Sequence, residues 1–278
     1  MMSETSVIIP TFNRLPFLKE AVASVLAQTY QDFELILVDD GSDDGTREYA
    51  AGLGDRVRYL YQRQSGPAAA RNRGIAVARG EFITFLDSDD LWQTNKLQTQ
   101  IAFMRAHPEA VVCYTDEIWI RSGARVNPKK KHEKASGWIF EKCLPLCIVS
   151  PSSVLMRRDF FEKVGLFDEQ LPACEDYDLW LRAALHYEFH FLPLKLIIKQ
   201  GGRPDQLSAN WGLDRYRVQA LLELLDNPRL TYKTKRLVLE ELNKKCRILQ
   251  QGFRKRGKEK EADQYMNLMR QYVVLEDR

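Results

Sequence analysis

Acidic residues gathered at the ends of apolar runs are the chemically capable groups of this chain. Asp39-Asp40 follow FELILV, Asp87-Ser88-Asp89-Asp90 follow EFITFL, and Glu175-Asp176 open EDYDLWLR. The first two runs are unbroken apolar stretches of strand length, the pattern of strands covered on both faces of a parallel sheet. Ligands of open α/β sheets bind beyond the carboxyl ends of the strands. Carboxylates brought together there repel one another unless a cation or hydrogen-bond donors hold them. A divalent cation carrying a diphosphate meets that need. Asp87 and Asp89, two residues apart, can share one hard cation, or one can ligate it while the other accepts from a ribose hydroxyl. Asp40, ahead of Gly41, can accept the N–H of a pyrimidine ring. Asp176 lies in the first turn of a helix with Leu179 and Trp180 as surface neighbours, and a carboxylate shielded in that way and aimed at a hydroxyl is a general base. Each motif has a plain alternative, a polar turn or a helix-capping pair.

These residues need elements to hold them. SVIIPTF, FELILV, VRYLYQ and EFITFL read as strands. Helical spacing over 16–28, a helix from Gly66-Pro67 to Gly80 and another over 92–107 alternate with them. That order predicts a parallel sheet with right-handed crossovers. The helix start GPAAARN combines small residues with amides that favour anions, and Arg71 adds positive charge. Further on, AVVCYTD and EIWIRSGARV read as strands with a Ser-Gly turn between Arg121 and Ala124. NPKKKHEKASG reads as an exposed loop, SSVLMRR as a strand and EDYDLWLRAAL as a helix. EFHFL and LKLIIK read as two short strands. From about Asp214 the chain is helical, with breaks near Asn227-Pro228 and Arg256-Gly257. Leu237, Leu239, Leu242 and Ile248 give that region an apolar stripe, suited to the core or to a second subunit.

With 278 residues, 45% apolar and 28% charged, the composition is that of a soluble globular protein with a sizeable core. No apolar run reaches the length of a membrane span, and the first residues do not read as a secretory signal. Five scattered cysteines read as free thiols of a reducing cytosol. The net charge is +3, unevenly spread: residues 226–278 hold 14 Lys/Arg against 8 Asp/Glu. That basic tail suits an anionic lipid surface or a phosphorylated acceptor, and equally a solvated helical face.

SVIIPTFNR, ELILVDDGSDDGT, GPAAARNRGIAVARGEFITFLDSDD and SSVLMRRDFFEKVGLFDEQLPACEDYDLWLRAA occur in the order and spacing of one family. Over about residues 4–200 the chain resembles the family 2 inverting, nucleotide-sugar-dependent glycosyltransferases. The resemblance implies a GT-A (Rossmann-like) α/β fold, a mixed, mostly parallel sheet flanked by helices, with a C-terminal helical extension. Residues 1–212 would form the GT-A domain, with 1–100 as the nucleotide-sugar half and 101–212 as the acceptor half, and 213–278 the extension. It implies that Pro10 and Phe12 sit by the base with Asp40, and that Asp87 and Asp89 hold Mg²⁺ or Mn²⁺ and the donor. Asp176 would be the catalytic base and Glu175 would lie near the acceptor. Trp180 and Arg182 would serve packing and a structural ion pair. Many relatives carry a His after the last core strands. Here the stretch is KQGGRPDQLS, and the departure implies that Arg203, with Lys199, holds the leaving diphosphate.

The expected partners are a nucleotide-sugar donor, of the UDP class by the family's habit, and a glycan or lipid-linked acceptor. No nucleic acid is expected. Peripheral membrane contact at the cytoplasmic face and oligomerisation stay open. The rival readings are a nucleotidyltransferase and a non-catalytic sugar- or nucleotide-binding domain. The first lacks a Gly-rich basic N-terminal loop, and the second is at odds with a full set of acids.

Overall fold

The computed structural model describes residues 3–203, 206 and 211–273. Residues 204, 205 and 207–208 of the KQGGRPDQLS stretch, and 274–278 of the expected extension, lie outside the described residues.

The N-terminal elements follow the alternation in the sequence: β1 (Thr5–Thr11), α1 (Leu15–Leu26), β2 (Phe33–Asp39), α2 (Thr46–Gly52), β3 (Val57–Tyr61), α3 (Pro67–Val77) and β4 (Phe82–Phe85). β1 pairs in parallel with β2 and β4, and β2 with β3. Every residue of β1 is buried because both faces are covered. Val7 and Ile9 pack with Leu18, Val22 and Val25 of α1, while Ile8 packs on the other face with Ala68 and Ala70 of α3. α3 has almost no apolar stripe. It approaches the sheet through small residues instead: a Cβ on Gly74 would stand 2.4 Å from Ile8 Cγ2. Its start is set by Gly66 at φ 93°, a positive value that a residue without a Cβ adopts freely, followed by Pro67 in the first turn.

The register places the acids. Thr11 lies opposite Asp39, and Ile8 opposite Phe85. The residues after β1, β2 and β4 therefore emerge at one sheet edge. β5 (Asp90–Trp92) precedes α4 (Lys96–Ala106), and the sheet continues through β6 (Val112–Arg121), β7 (Ala124–Val126), β8 (Val154–Arg157) and β9 (Phe189–Gly201). The spatial order is β3-β2-β1-β4-β8-β6-β9-β5, with β7 on β6. The sheet is mixed: β6–β9 is parallel like the first strands, and β4–β8, β6–β8, β5–β9 and β6–β7 are antiparallel.

Three readings of the sequence differ from what forms here. AVVCYTD and EIWIR are one strand, β6, whose polar pair Asp116-Glu117 sits at a register shift against β9. EFHFL and LKLIIK are likewise one strand, β9. Pro193, which has no N–H for the ladder, falls where Leu192 pairs with Thr115 and Lys195 with Asp116, so a bulge absorbs it. The 92–107 helix starts later, because Asp90–Trp92 pairs with Lys199, Ile198 and Ile197 of β9.

α5 (Phe140–Cys143), α6 (Phe160–Val164) and α7 (Glu175–Ala183) cover the second half of the sheet. α8 (Asp214–Leu224), α9 (Tyr232–Arg254) and α10 (Glu259–Val273) follow, with the expected breaks. α9 opens with a capping box between Thr231 and Thr234. Leu239, Leu242, Cys246, Leu249 and Phe253 of α9 join the buried cluster that holds Trp180. Ile248, expected in that stripe, is exposed, and Leu249 takes the inward place one helical step on. Among the described residues no helix is long and apolar enough to cross a membrane.

Candidate functional site

A cavity of about 1310 Å³ opens at the sheet edge where the strands deliver their acids. That exceeds the span usual for a single small-molecule pocket, roughly 300–1,000 Å³. Pro10, Phe12, Asp40, Arg71, Asp87, Asp89, Glu175, Asp176, Lys199 and Arg203 all line it. Every residue singled out in the sequence for a role at the site thus reaches one space. The residues come from β1, β2, the start of α3, the β4–β5 turn, the first turn of α7 and the end of β9.

Asp40 follows β2 and is buried. Its Oδ1 accepts from Gln62 Nε2 at 2.7 Å and the Ser65 amide at 2.8 Å, and its Oδ2 from the Gly66 amide at 2.8 Å. The carboxylate thereby ties down the loop that enters α3. Phe12 is more than a third exposed, which leaves a ring face on the cavity wall.

Arg71 was expected to supply positive charge to a ligand. Its guanidinium instead bridges two acids, donating to Glu175 Oε1 at 2.6 Å and Asp87 Oδ1 at 2.7 Å. The three come from α7, α3 and the end of β4, so this bridge locks the two acidic clusters to each other. Burial raises the Glu175 carboxyl, and Arg71 opposes that rise.

Asp89 Oδ2 accepts from Arg14 Nη1 at 2.7 Å, from Arg203 and from Gln206 Nε2 at 3.1 Å. Arg203 lies 4.0 Å over the Phe17 ring, so it is anchored from two sides. Asp87 and Asp89 remain partly exposed on the cavity. Behind them Asp90 is buried, accepting from Ser152 Oγ at 2.7 Å and the Gln200 amide at 3.3 Å. Burial lifts its carboxyl well above the usual carboxylate range, against the pull of Lys199. Lys199 is the counterweight of the floor. Burial alone would lower its ammonium, but Glu117, Asp90, Asp87 and Asp176 raise it and keep it charged.

Asp176 completes the set. Its Oδ1 accepts from the Tyr177 amide at 2.7 Å, and its Oδ2 lies 3.2 Å from Cys147 Sγ. Nearby, Arg182 bonds Asp178 as the expected structural pair at 2.6 Å, and Trp180 packs in the core.

Among the described residues no three His, Cys, Asp or Glu side chains form a ready-made metal cluster. The donor set still fits a hard cation of the Mg²⁺ or Mn²⁺ kind, which is held by one or two carboxylates and completed by substrate phosphates and water. Asp87 and Asp89 supply those carboxylates at the cavity wall.

Several participants escaped the sequence reading, Glu117 beside Lys199 and Gln206 on Asp89 among them. Arg14 stands within the quoted SVIIPTFNR, but nothing local says that it reaches Asp89 75 residues away. Asp90 was legible only as the last letter of a cluster. Cys147 carried no signal beyond being a thiol.

Residues 6–165 match the sequence model of glycosyl transferase family 2. A glycosyltransferase of Rickettsia felis is 35% identical over 190 residues, 66% of this chain but 30% of that protein's length. The solved structure of Staphylococcus aureus TarS 1-349 in complex with UDP-GlcNAc aligns with a TM-score of 0.78 at 21% identity, covering 97% of this chain and 80% of that one. The mannosyltransferase PcManGT of Pyrobaculum calidifontis, in complex with GDP-Man and Mn²⁺, aligns with a TM-score of 0.62 at 17% identity, covering 99% and 79%. At those identities the likeness to the two structures shows a shared fold, the GT-A arrangement of a mixed sheet flanked by helices.

Proposed function

The chain belongs to glycosyl transferase family 2, and from that premise we propose that it transfers a sugar from a nucleoside-diphosphate sugar to an acceptor hydroxyl with inversion. One observation carries the reading: the Asp87 and Asp89 pair and Asp176, far from them in sequence, line a single cavity, roomy enough for a donor and an acceptor together. The donor is UDP-linked in this proposal. TarS was solved with UDP-GlcNAc, and Asp40 with the Phe12 ring suits a pyrimidine.

In the proposed reaction Asp40, Pro10 and Phe12 position the base. Asp176 takes the proton from the acceptor hydroxyl as the new bond forms at the anomeric carbon. Arg203 and Lys199 present positive charge to the leaving diphosphate. A divalent cation held by Asp89 with Asp87 would neutralise the charge gathering there. Glu175 and Arg71 keep the two acidic clusters in register. Positioning supplies much of the rate, since no covalent intermediate is needed. Residues 1–100 serve the donor, 101–212 the acceptor and 213–278 brace the acceptor half. The acceptor is a glycan or lipid-linked hydroxyl, met in the cytoplasm or at the inner membrane face.

The test is product analysis. With donor and acceptor the protein releases a nucleoside diphosphate. Release of pyrophosphate would make it a nucleotidyltransferase, and binding without release a non-catalytic domain. Asp176→Asn is expected to lower turnover by roughly 10²–10⁴-fold while calorimetry shows unchanged donor affinity.

A further inference from the structure

We infer that Cys147 is a positioning residue for Asp176, its thiol donating to the carboxylate and fixing which oxygen lone pairs face the cavity. The inference rests on the proposed role of Asp176 only for its consequence in turnover. The contact itself is geometric. Cys147 lies in the segment between α5 and β8, 29 residues before Asp176, and both side chains line the cavity. Sγ stands 3.2 Å from Asp176 Oδ2, well inside the reach of a sulfur donor. The other oxygen, Oδ1, accepts from the Tyr177 amide at 2.7 Å. Each carboxylate oxygen therefore has one donor within reach, and with both in place the remaining lone pairs have a defined direction.

The thiol suits that place. Burial raises Cys147 well above the ordinary thiol value, and the neighbouring Asp176 raises it further, so the S–H proton stays available to donate. Its apolar surface packs against the core cluster that holds Val149 and Tyr177. A thiol is also a weak donor. It orients the carboxylate while taking away only a little of the basicity that proton abstraction needs. One S–H has two acceptors within reach, however: Val149 O lies 3.0 Å from the same sulfur. The charged and titratable groups that face Asp176 are Glu175 and Cys174 at its own helix end, Cys147 from the α5–β8 segment and Lys199 from β9.

The experiment follows the carboxyl carbon of Asp176 by NMR titration in protein labelled with ¹³C-aspartate, assigned through Asp176→Asn. Removing a donor from a carboxylate disfavours its charged form. In Cys147→Ala the midpoint of that signal is expected to move upward by roughly half to one pH unit. Cys147→Ser, which fills nearly the same space and keeps a donor, is expected to stay at or below the wild-type midpoint and covers the case in which the alanine variant fails to fold. The acidic limb of the turnover profile should move with the midpoint, with the donor KM unchanged. If the alanine and serine variants both titrate with the wild type, the thiol bonds Val149 O and the inference is overturned. If the midpoint moves but the turnover limb does not, the contact stands and Asp176 is not the base.

Discussion

Replacing Arg71 with Met tests how the site is held together. Met keeps most of the stem, so the change is chiefly the loss of a charge. Wild-type Arg71 bonds Glu175 at 2.6 Å and Asp87 at 2.7 Å. The Glu175 side chain is 8% exposed and that of Asp87 25%, so water can replace the guanidinium at Asp87 but not at Glu175. Removing one partner of a buried pair costs about 3–5 kcal/mol. Glu175 limits the damage by taking up a proton, which sets the pH dependence. Its folded carboxyl is already raised by burial and held back by Arg71. A group raised on folding contributes stability that is fully present below its unfolded value and lost as pH rises through its folded value. Without Arg71 the folded value climbs further, so the deficit is smallest in acid and grows as pH rises. Urea unfolding of both proteins between about pH 5 and 8 is expected to show a deficit near 3 kcal/mol at the upper end, narrowing steadily toward the lower. In melting temperature that is roughly 6–12 °C for a domain of this size. The double variant Arg71→Met/Glu175→Gln should recover much of the loss, because no buried charge remains. A deficit that is equal at both ends of the range, or below about 1 kcal/mol, would refute the bridge as the support of the two acidic clusters.

Further outcomes follow from the same geometry. Arg203→Ala is expected to weaken donor binding and slow turnover about tenfold or more, as for a charge-assisted contact of roughly 1.5–3 kcal/mol; unchanged calorimetry and turnover would remove Arg203 from the site. Asp89→Ala should abolish the shift in melting temperature that Mn²⁺ with a nucleoside diphosphate produces in the wild type, and chelation should silence turnover in the wild type; a variant that still responds to Mn²⁺ places the cation elsewhere. In α9, Leu249→Ala is expected to cost about 2–5 kcal/mol, while Ile248→Ala one position away changes stability by under about 0.5 kcal/mol. Equal effects on denaturant unfolding would mean the helix faces the core differently.

Much of this protein was legible without coordinates, for a physical reason. Burial imposes period on a chain locally. SVIIPTF and FELILV had to be strands covered on two faces, and a parallel sheet has to deliver the residues after them to one edge. Asp40, Asp87 and Asp89 were readable as a group on that ground, and Asp176 joined them through family resemblance. Polar residues inside an element misled the reading. Asp116-Glu117 looked like the junction of two strands, though both belong to β6 at the cavity, and Pro193 looked like a break, though a bulge carries it within β9. Neither signal exists in the local pattern, because only the neighbouring strand decides whether a polar pair or a proline is tolerated.

The sequence by itself determined which acids this chain carries, the strands and helices that bear them, and the family to which they belong. The tertiary structure alone decided their partners. Arg71 reaches Glu175 across 104 residues, Arg14 reaches Asp89 across 75 and Cys147 meets Asp176 across 29. Contacts at such separations depend on the order of strands in the sheet and the angle at which each helix crosses it, and these are properties of the packed whole rather than of any segment.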